Sequence, residues 1–126
     1  MAVSFQKIPV DIYTCGVSVN NNDIVYINSS GVLMKAKADS VTTMPAIGVV
    51  NKKLTTTTCT IKPFMVIENL TGIVNRKKYY VSTSQAGAFQ DIIPVTSGHI
   101  AQLIGQGLSA TKMQINIDVT NHVTRS

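Results

Sequence analysis

Chemistry in a chain of this size would come from its acids, histidines and cysteines, and these are few and scattered. The six acids are Asp11, Asp23, Asp39, Glu68, Asp91 and Asp118. None stands within a few residues of another, so no local pair is set to divide acid and base roles. His99 follows Gly98 at a turn, and His122 lies near the C-terminus without an obvious partner. A Ser-His-Asp site needs its serine on a strained turn; Ser97-Gly98-His99 and Ser82-Thr83-Ser84 show no such motif. Cys15 and Cys59 have no histidine at metal-ligand spacing. A disulfide between them stays open, but Cys59 falls on the apolar face of a strand pattern, which favours buried free thiols. Gly105-Gln106-Gly107-Leu108-Ser109-Ala110 matches half of a dinucleotide fingerprint and lacks the third glycine and the helix. The residues therefore predict no enzyme, no metal site and no cofactor.

Composition narrows the classes further. The 126 residues fit one domain able to bury a core. Charged residues make up only 13% of the chain, against 44% hydrophobic. That charged share is about half of the usual quarter, and the resulting surface of Thr, Ser, Asn and apolar atoms suits burial against other subunits. The net charge is +5. Its basic residues form short clusters, Lys35/Lys37, Lys52-Lys53 and Arg76-Lys77-Lys78, which read as solvated turns and strand ends. Aromatics are 6% and Trp is absent, so there is little to stack on bases; the same lack argues against a sugar platform, though loops can bind without one. No nucleic-acid partner is expected. No apolar run approaches a membrane span, and Met1 to Lys7 does not resemble a signal peptide.

The elements that would position these residues are strands. Asn20-Asn21-Asn22-Asp23 is a turn, because Asn and Asp tolerate left-handed backbone. Ile24-Val25-Tyr26-Ile27 is a short β-branched run that suits a strand buried on both faces. Val32, Met34, Ala36 and Ala38 alternate with Lys35, Lys37 and Asp39. Thr57, Cys59 and Ile61 alternate with Thr58, Thr60 and Lys62, and a threonine run favours a pleated surface over a helix. Met113, Ile115, Ile117 and Val119 alternate with Lys112, Gln114, Asn116 and Asp118, giving one core face and one polar face. No window keeps helical spacing for three turns. The prediction is an all-β fold, a small barrel or sandwich of about nine or ten short strands with little or no helix.

Two stretches follow one plan. Val25-Tyr26-Ile27 leads to Gly31 and then to Ile47-Gly48; Tyr79-Tyr80-Val81 leads to Gly87 and then to Ile104-Gly105. The spacing suits two similar halves, read here as halves of a closed barrel. Gly48 and Gly105 interrupt apolar strands, as bulges or close backbone approaches do.

The stretch Lys78-Tyr79-Tyr80-Val81-Ser82-Thr83-Ser84-Gln85-Ala86-Gly87-Ala88, followed by Gln102-Leu103-Ile104-Gly105-Gln106-Gly107-Leu108-Ser109-Ala110-Thr111-Lys112 and Met113 to Asp118, resembles a group of small β-barrel virion proteins of tailed bacteriophages. Asp23 to Ile27, Gly31 to Asp39 and Met44 to Val50 match upstream, so the resemblance spans roughly residues 20 to 119. The chain departs from the pattern at Gln85-Ala86, where a proline often precedes the glycine, and at Gly107, where alanine is frequent.

That resemblance implies a capsid decoration (cement) protein, related to head-fibre barrel domains. Its partners would be the major capsid protein and itself as a homotrimer. It would sit on the outer surface of the virion capsid after assembly in the host cytoplasm. The alternative is a head-fibre or tail adaptor module that binds a host surface or another virion protein. Only Thr120 to Ser126 follow the closing strand, which points to the stand-alone form. The expected layout is an extended arm or edge strand at 1–15, a β domain at 16–119 and a tail at 120–126. Phe5, Ile8, Val10, Ile12 and Tyr13 are the expected anchors of the arm on a neighbouring subunit.

Overall fold

The computed structural model describes residues 12–126. Apart from one 3-10 turn at Val41–Thr43, its regular elements are strands: β1 (Ile12–Thr14), β2 (Ile24–Ile27), β3 (Leu33–Lys35), β4 (Gly48–Thr55), β5 (Thr58–Lys62), β6 (Phe64–Ile67), β7 (Lys78–Val81), β8 (Phe89–Gln90), β9 (Ile100–Ser109), β10 (Lys112–Asn116) and β11 (His122–Thr124). The fold is all-β, as the alternation predicts, with eleven strands in place of nine or ten.

The strands form two antiparallel sheets rather than one closed barrel. The first has the order β1-β5-β4-β2-β3 and the second β6-β10-β9-β7-β8, with β11 also on β9. The echo in the sequence is thus a repeat of topology, each half making its own sheet. The strands that would have to pair to close a barrel remain sheet edges, and no strand ladder joins the sheets among the described residues. They are stitched along one seam by main-chain bonds. Ala38 N donates to Ser82 O at 2.8 Å, Ile100 N to Ala38 O at 2.8 Å and Gly87 N to Ala36 O at 2.8 Å.

The main core lies between the sheets. Ile24, Ala46 and Val49 meet Ile67, Tyr79, Val81, Ile104, Met113 and Ile115 there. Full burial of each large aliphatic side chain stabilises the fold by ~1.5–3 kcal/mol. Met113, Ile115 and Ile117 are buried as predicted, but β10 ends at Asn116 and Val119 is exposed. Of the run Ile24–Ile27, expected to be buried on both faces, Ile24 and Val25 are buried, whereas Tyr26 is half-buried and Ile27 is exposed. Ile24 enters the core between the sheets, whereas Val25 joins a second cluster on the far side of the first sheet. Val49 and Val50 divide in the same way.

Both strand glycines do what their positions imply. A Cβ on Gly105 would lie 2.5 Å from Gln114 O, and one on Gly48 would lie 3.2 Å from Lys62 O. Gly105 also sits at a register shift, where β7 passes from Gly105 to Leu103. Asn22 adopts φ 70°, the left-handed backbone expected of the Asn-rich turn. The expected C-terminal tail is a correction: residues 122–124 pair with Gln102, Ala101 and Ile100 as β11. Three residues are too short a pattern to read as a strand, and the pairing supplies the order.

Candidate functional site

The outer face of the first sheet is closed. The connection between β1 and β2 folds across it and places Val19, fully buried, against Val25, Leu33, Val50 and Cys59. Gly16 N donates to Leu33 O at 2.9 Å and Asn22 N to Val50 O at 2.8 Å. Lys53 pins the connection from outside. Its Nζ donates to Gly16 O at 3.4 Å, Val17 O at 3.0 Å and Val19 O, while its backbone N–H donates to Asn21 Oδ1 at 2.7 Å. Cys15 and Cys59 lie in this cluster as buried free thiols. Burial pushes the Cys59 thiol up to about 11, and its hydrogen bond with Cys15 acts in the same direction.

The predicted arm residues reach this region in part. Phe5, Ile8 and Val10 lie outside the described residues. Ile12 and Tyr13 stand on β1, an edge strand paired with β5 through Ile12–Thr60 and Tyr13–Cys59. Successive strand residues point to opposite faces, so these two do not form one anchoring surface. Tyr13 packs on the closed cluster of its own sheet, and Ile12 is 61% exposed.

Among the described residues, nothing covers the outer face of the second sheet. The matching connection, between β6 and β7, goes inward: Ile73 and Leu70 pack on the core between the sheets. Gly107 permits this route. A Cβ there would sit 1.9 Å from Val74 O, and Arg76 N donates to Gly107 O at 2.7 Å. The outer face is left with Lys78, Gln106 and Gln114 in register across β7, β9 and β10, and Asn116 opposite Phe64. β10 and β11 share one flank of β9, and the chain leaves that flank between them. The gap makes a cleft of about 570 Å³ that also includes Leu103, Asp118 and Asn121. Thr120 donates to Asp118 Oδ1 through its backbone N–H at 2.9 Å and its hydroxyl at 2.7 Å. Those bonds hold the Asp118 carboxyl below its ordinary value.

Behind the cleft, fully buried Gln102 joins the sheets. Its Oε1 accepts from Ala46 N at 2.8 Å, and its Nε2 donates to Ala46 O at 2.9 Å and Asp118 O at 3.2 Å. The signal in the sequence is a lone amide at an inward position of an apolar strand.

The acids are dispersed. Asp23, Asp39, Asp91 and Glu68 face Lys35, Lys37, Lys77 and Lys112 at 4.0, 3.2, 3.1 and 3.9 Å. Among the described residues no three His, Cys, Asp or Glu side chains gather as a metal site, and no helix is long and apolar enough to cross a membrane. Large aliphatic side chains stand in water between β8 and β9, where Ile92 is 70% and Val95 73% exposed. This segment is tied to the end of the chain by Arg125 Nε, which donates to Pro94 O at 2.8 Å. Compared with protein-family models and with curated proteins, the chain has no match.

Proposed function

We propose that the protein is a virion component, a capsid decoration protein that assembles as a homotrimer on the major capsid protein and ties neighbouring capsomers together. The observation that carries this reading is the exposed aliphatic segment Ile92–Val95 on a chain of low charge. Three of its four residues, Ile92, Ile93 and Val95, are exposed large aliphatics. Such groupings mark surfaces covered in an assembly. The resemblance of residues 20 to 119 to phage virion barrels supplies the kind of assembly. A trimer matches a local three-fold position on a shell. Contacts made only in the bound state then stabilise the shell by mass action.

The test uses the full chain of 13.6 kDa. Light scattering behind a sizing column should give three times that mass, and the protein should co-sediment with shells of a tailed-phage major capsid protein. Ile92→Asp with Val95→Asp should remove shell binding and keep the strand spectrum. A monomer that ignores such shells overturns the reading. The alternative, a head-fibre or tail adaptor module, predicts few copies per particle where decoration predicts many.

A further inference from the structure

The cleft on the outer face of the second sheet has a chemistry of its own. Its volume of about 570 Å³ lies within the ~300–1,000 Å³ range of small-molecule sites. Lys78, Gln106 and Gln114 stand side by side on three neighbouring strands, ~4.8 Å apart. Asn116 lies two residues along β10, on the same face as Gln114. Gln106 Nε2 spends one bond on Arg76 O at 3.3 Å. Lys78 lies outside the ion pairs formed among the described residues. Asp118 lines the cleft; its Oδ1 accepts from Thr120, and its Oδ2 has no bond to Thr120. Phe64, 59% exposed, forms one apolar wall, and Leu103 lines the cleft as well.

We infer that this cleft binds a short saccharide, held by the Gln114 and Asn116 carboxamides, Lys78 and Asp118, with one sugar face against Phe64. A carboxamide offers a donor and an acceptor side by side, and that pair matches the adjacent hydroxyls of a sugar ring. An ammonium and a carboxylate add the stronger, charge-assisted bonds. Recognition then rests on amides with one ring as a wall, so the absence of Trp is no obstacle.

The arrangement disfavours the other occupants. Lys78, Gln106 and Gln114 lie on interior strands whose main-chain groups are engaged in the ladder, so a peptide cannot add there as a strand. One cation and one exposed ring make a poor nucleic-acid track. Glycoside hydrolysis needs two carboxyl groups, ~5–9.5 Å apart, and among the described residues Asp118 is the one acid lining the cleft, an arrangement that favours binding over cleavage. This goes beyond the decoration reading and does not rest on it.

The test begins with the full chain on an immobilised panel of neutral, sialylated and uronate-bearing oligosaccharides. The strongest binder is then titrated by NMR. Backbone shifts should concentrate on Leu103, Gln106, Gln114 and Asn116, together with the side-chain amides of Gln114 and Asn116. The double variant Gln114→Ala with Asn116→Ala should lose at least tenfold in affinity at an unchanged melting temperature. Phe64→Ala, a separate exposed change, should also weaken binding. No sugar retained above the level of the double variant overturns the inference, as do shifts centred elsewhere. Blocking of the cleft by unglycosylated capsid protein alone also overturns it, in favour of a protein contact. Shell co-sedimentation of the same double variant keeps the two readings apart, because loss of sugar binding should leave it intact.

Discussion

In the first sheet the connection from β1 to β2 lies over the outer face; in the second the connection from β6 to β7 turns into the core between the sheets. The strand orders are otherwise the same, β1-β5-β4-β2-β3 against β6-β10-β9-β7-β8. One connection decides which sheet ends with two buried faces and which ends with one. The closed face collects Val19, Val25, Val50 and two thiols, and the open face collects amides and a lysine. A repeated topology thus gives two unlike outer faces: one is covered by its own connection, and the other is left uncovered by the described residues.

The contrast between the two connections depends most on Gly107. The β6–β7 connection reaches the core because Val74 O fits where a Cβ would stand, 1.9 Å away. Gly107→Ala should cost about 3 kcal/mol, the upper end for inserting a methyl group into packed structure. Amide exchange at Leu70, Ile73 and Arg76 should quicken, since these donate to Thr111, Ala110 and Gly107. Urea melts and exchange rates read both effects; a stability within ~0.5 kcal/mol of wild type would sink the account.

Much of this fold is legible in the residues, and the illegible parts share a cause. Alternation from Met113 to Ile117 reports one buried face correctly, because period two is local. The continuous apolar run Ile24–Ile27 reports a doubly buried strand only in its first half, since Ile27 is exposed. Whether two similar halves close into a barrel or stack as sheets depends on edge strands meeting across the molecule, and no local pattern encodes that. The polar residues Gln114, Asn116 and Asp118 are legible as an outer face. The cleft is not, because it arises where β10 and β11 divide one flank of β9. Gln102 shows only as a misplaced amide; its partner, Ala46, is far away in the chain.

A second effect belongs to the closed face alone. Cys59 holds its proton up to about 11, above the ordinary 9.0. The folded state thus binds this proton more tightly than the unfolded state. Stability should be unaffected below pH 9, fall as pH rises from about 9 to about 11, and level off beyond. The loss should be roughly 2 kcal/mol. The informative quantity is the difference from Cys59→Ala, which should lack this part of the alkaline fall. Urea midpoints measured across that range give it directly, and parallel curves for the two proteins would refute the assignment.

Two lysines, one on each sheet, should respond differently to the same substitution. Lys53 Nζ donates to three carbonyls of the β1–β2 connection, whereas Lys78 faces the open cleft. Hydrogen bonds from a charged donor contribute ~1.5–3 kcal/mol when removed, reduced here because the Lys53 contacts are partly solvated. Lys53→Met should therefore cost about 1 kcal/mol and loosen residues 16–19, seen as faster amide exchange at Val19, which donates to Gly16 O at 3.1 Å. Lys78→Met should stay within ~0.5 kcal/mol, as surface substitutions without partners do, while weakening any ligand of the cleft. Equal losses from the two would mean that the second face is as closed as the first, and that Lys78 braces structure rather than waiting for a ligand.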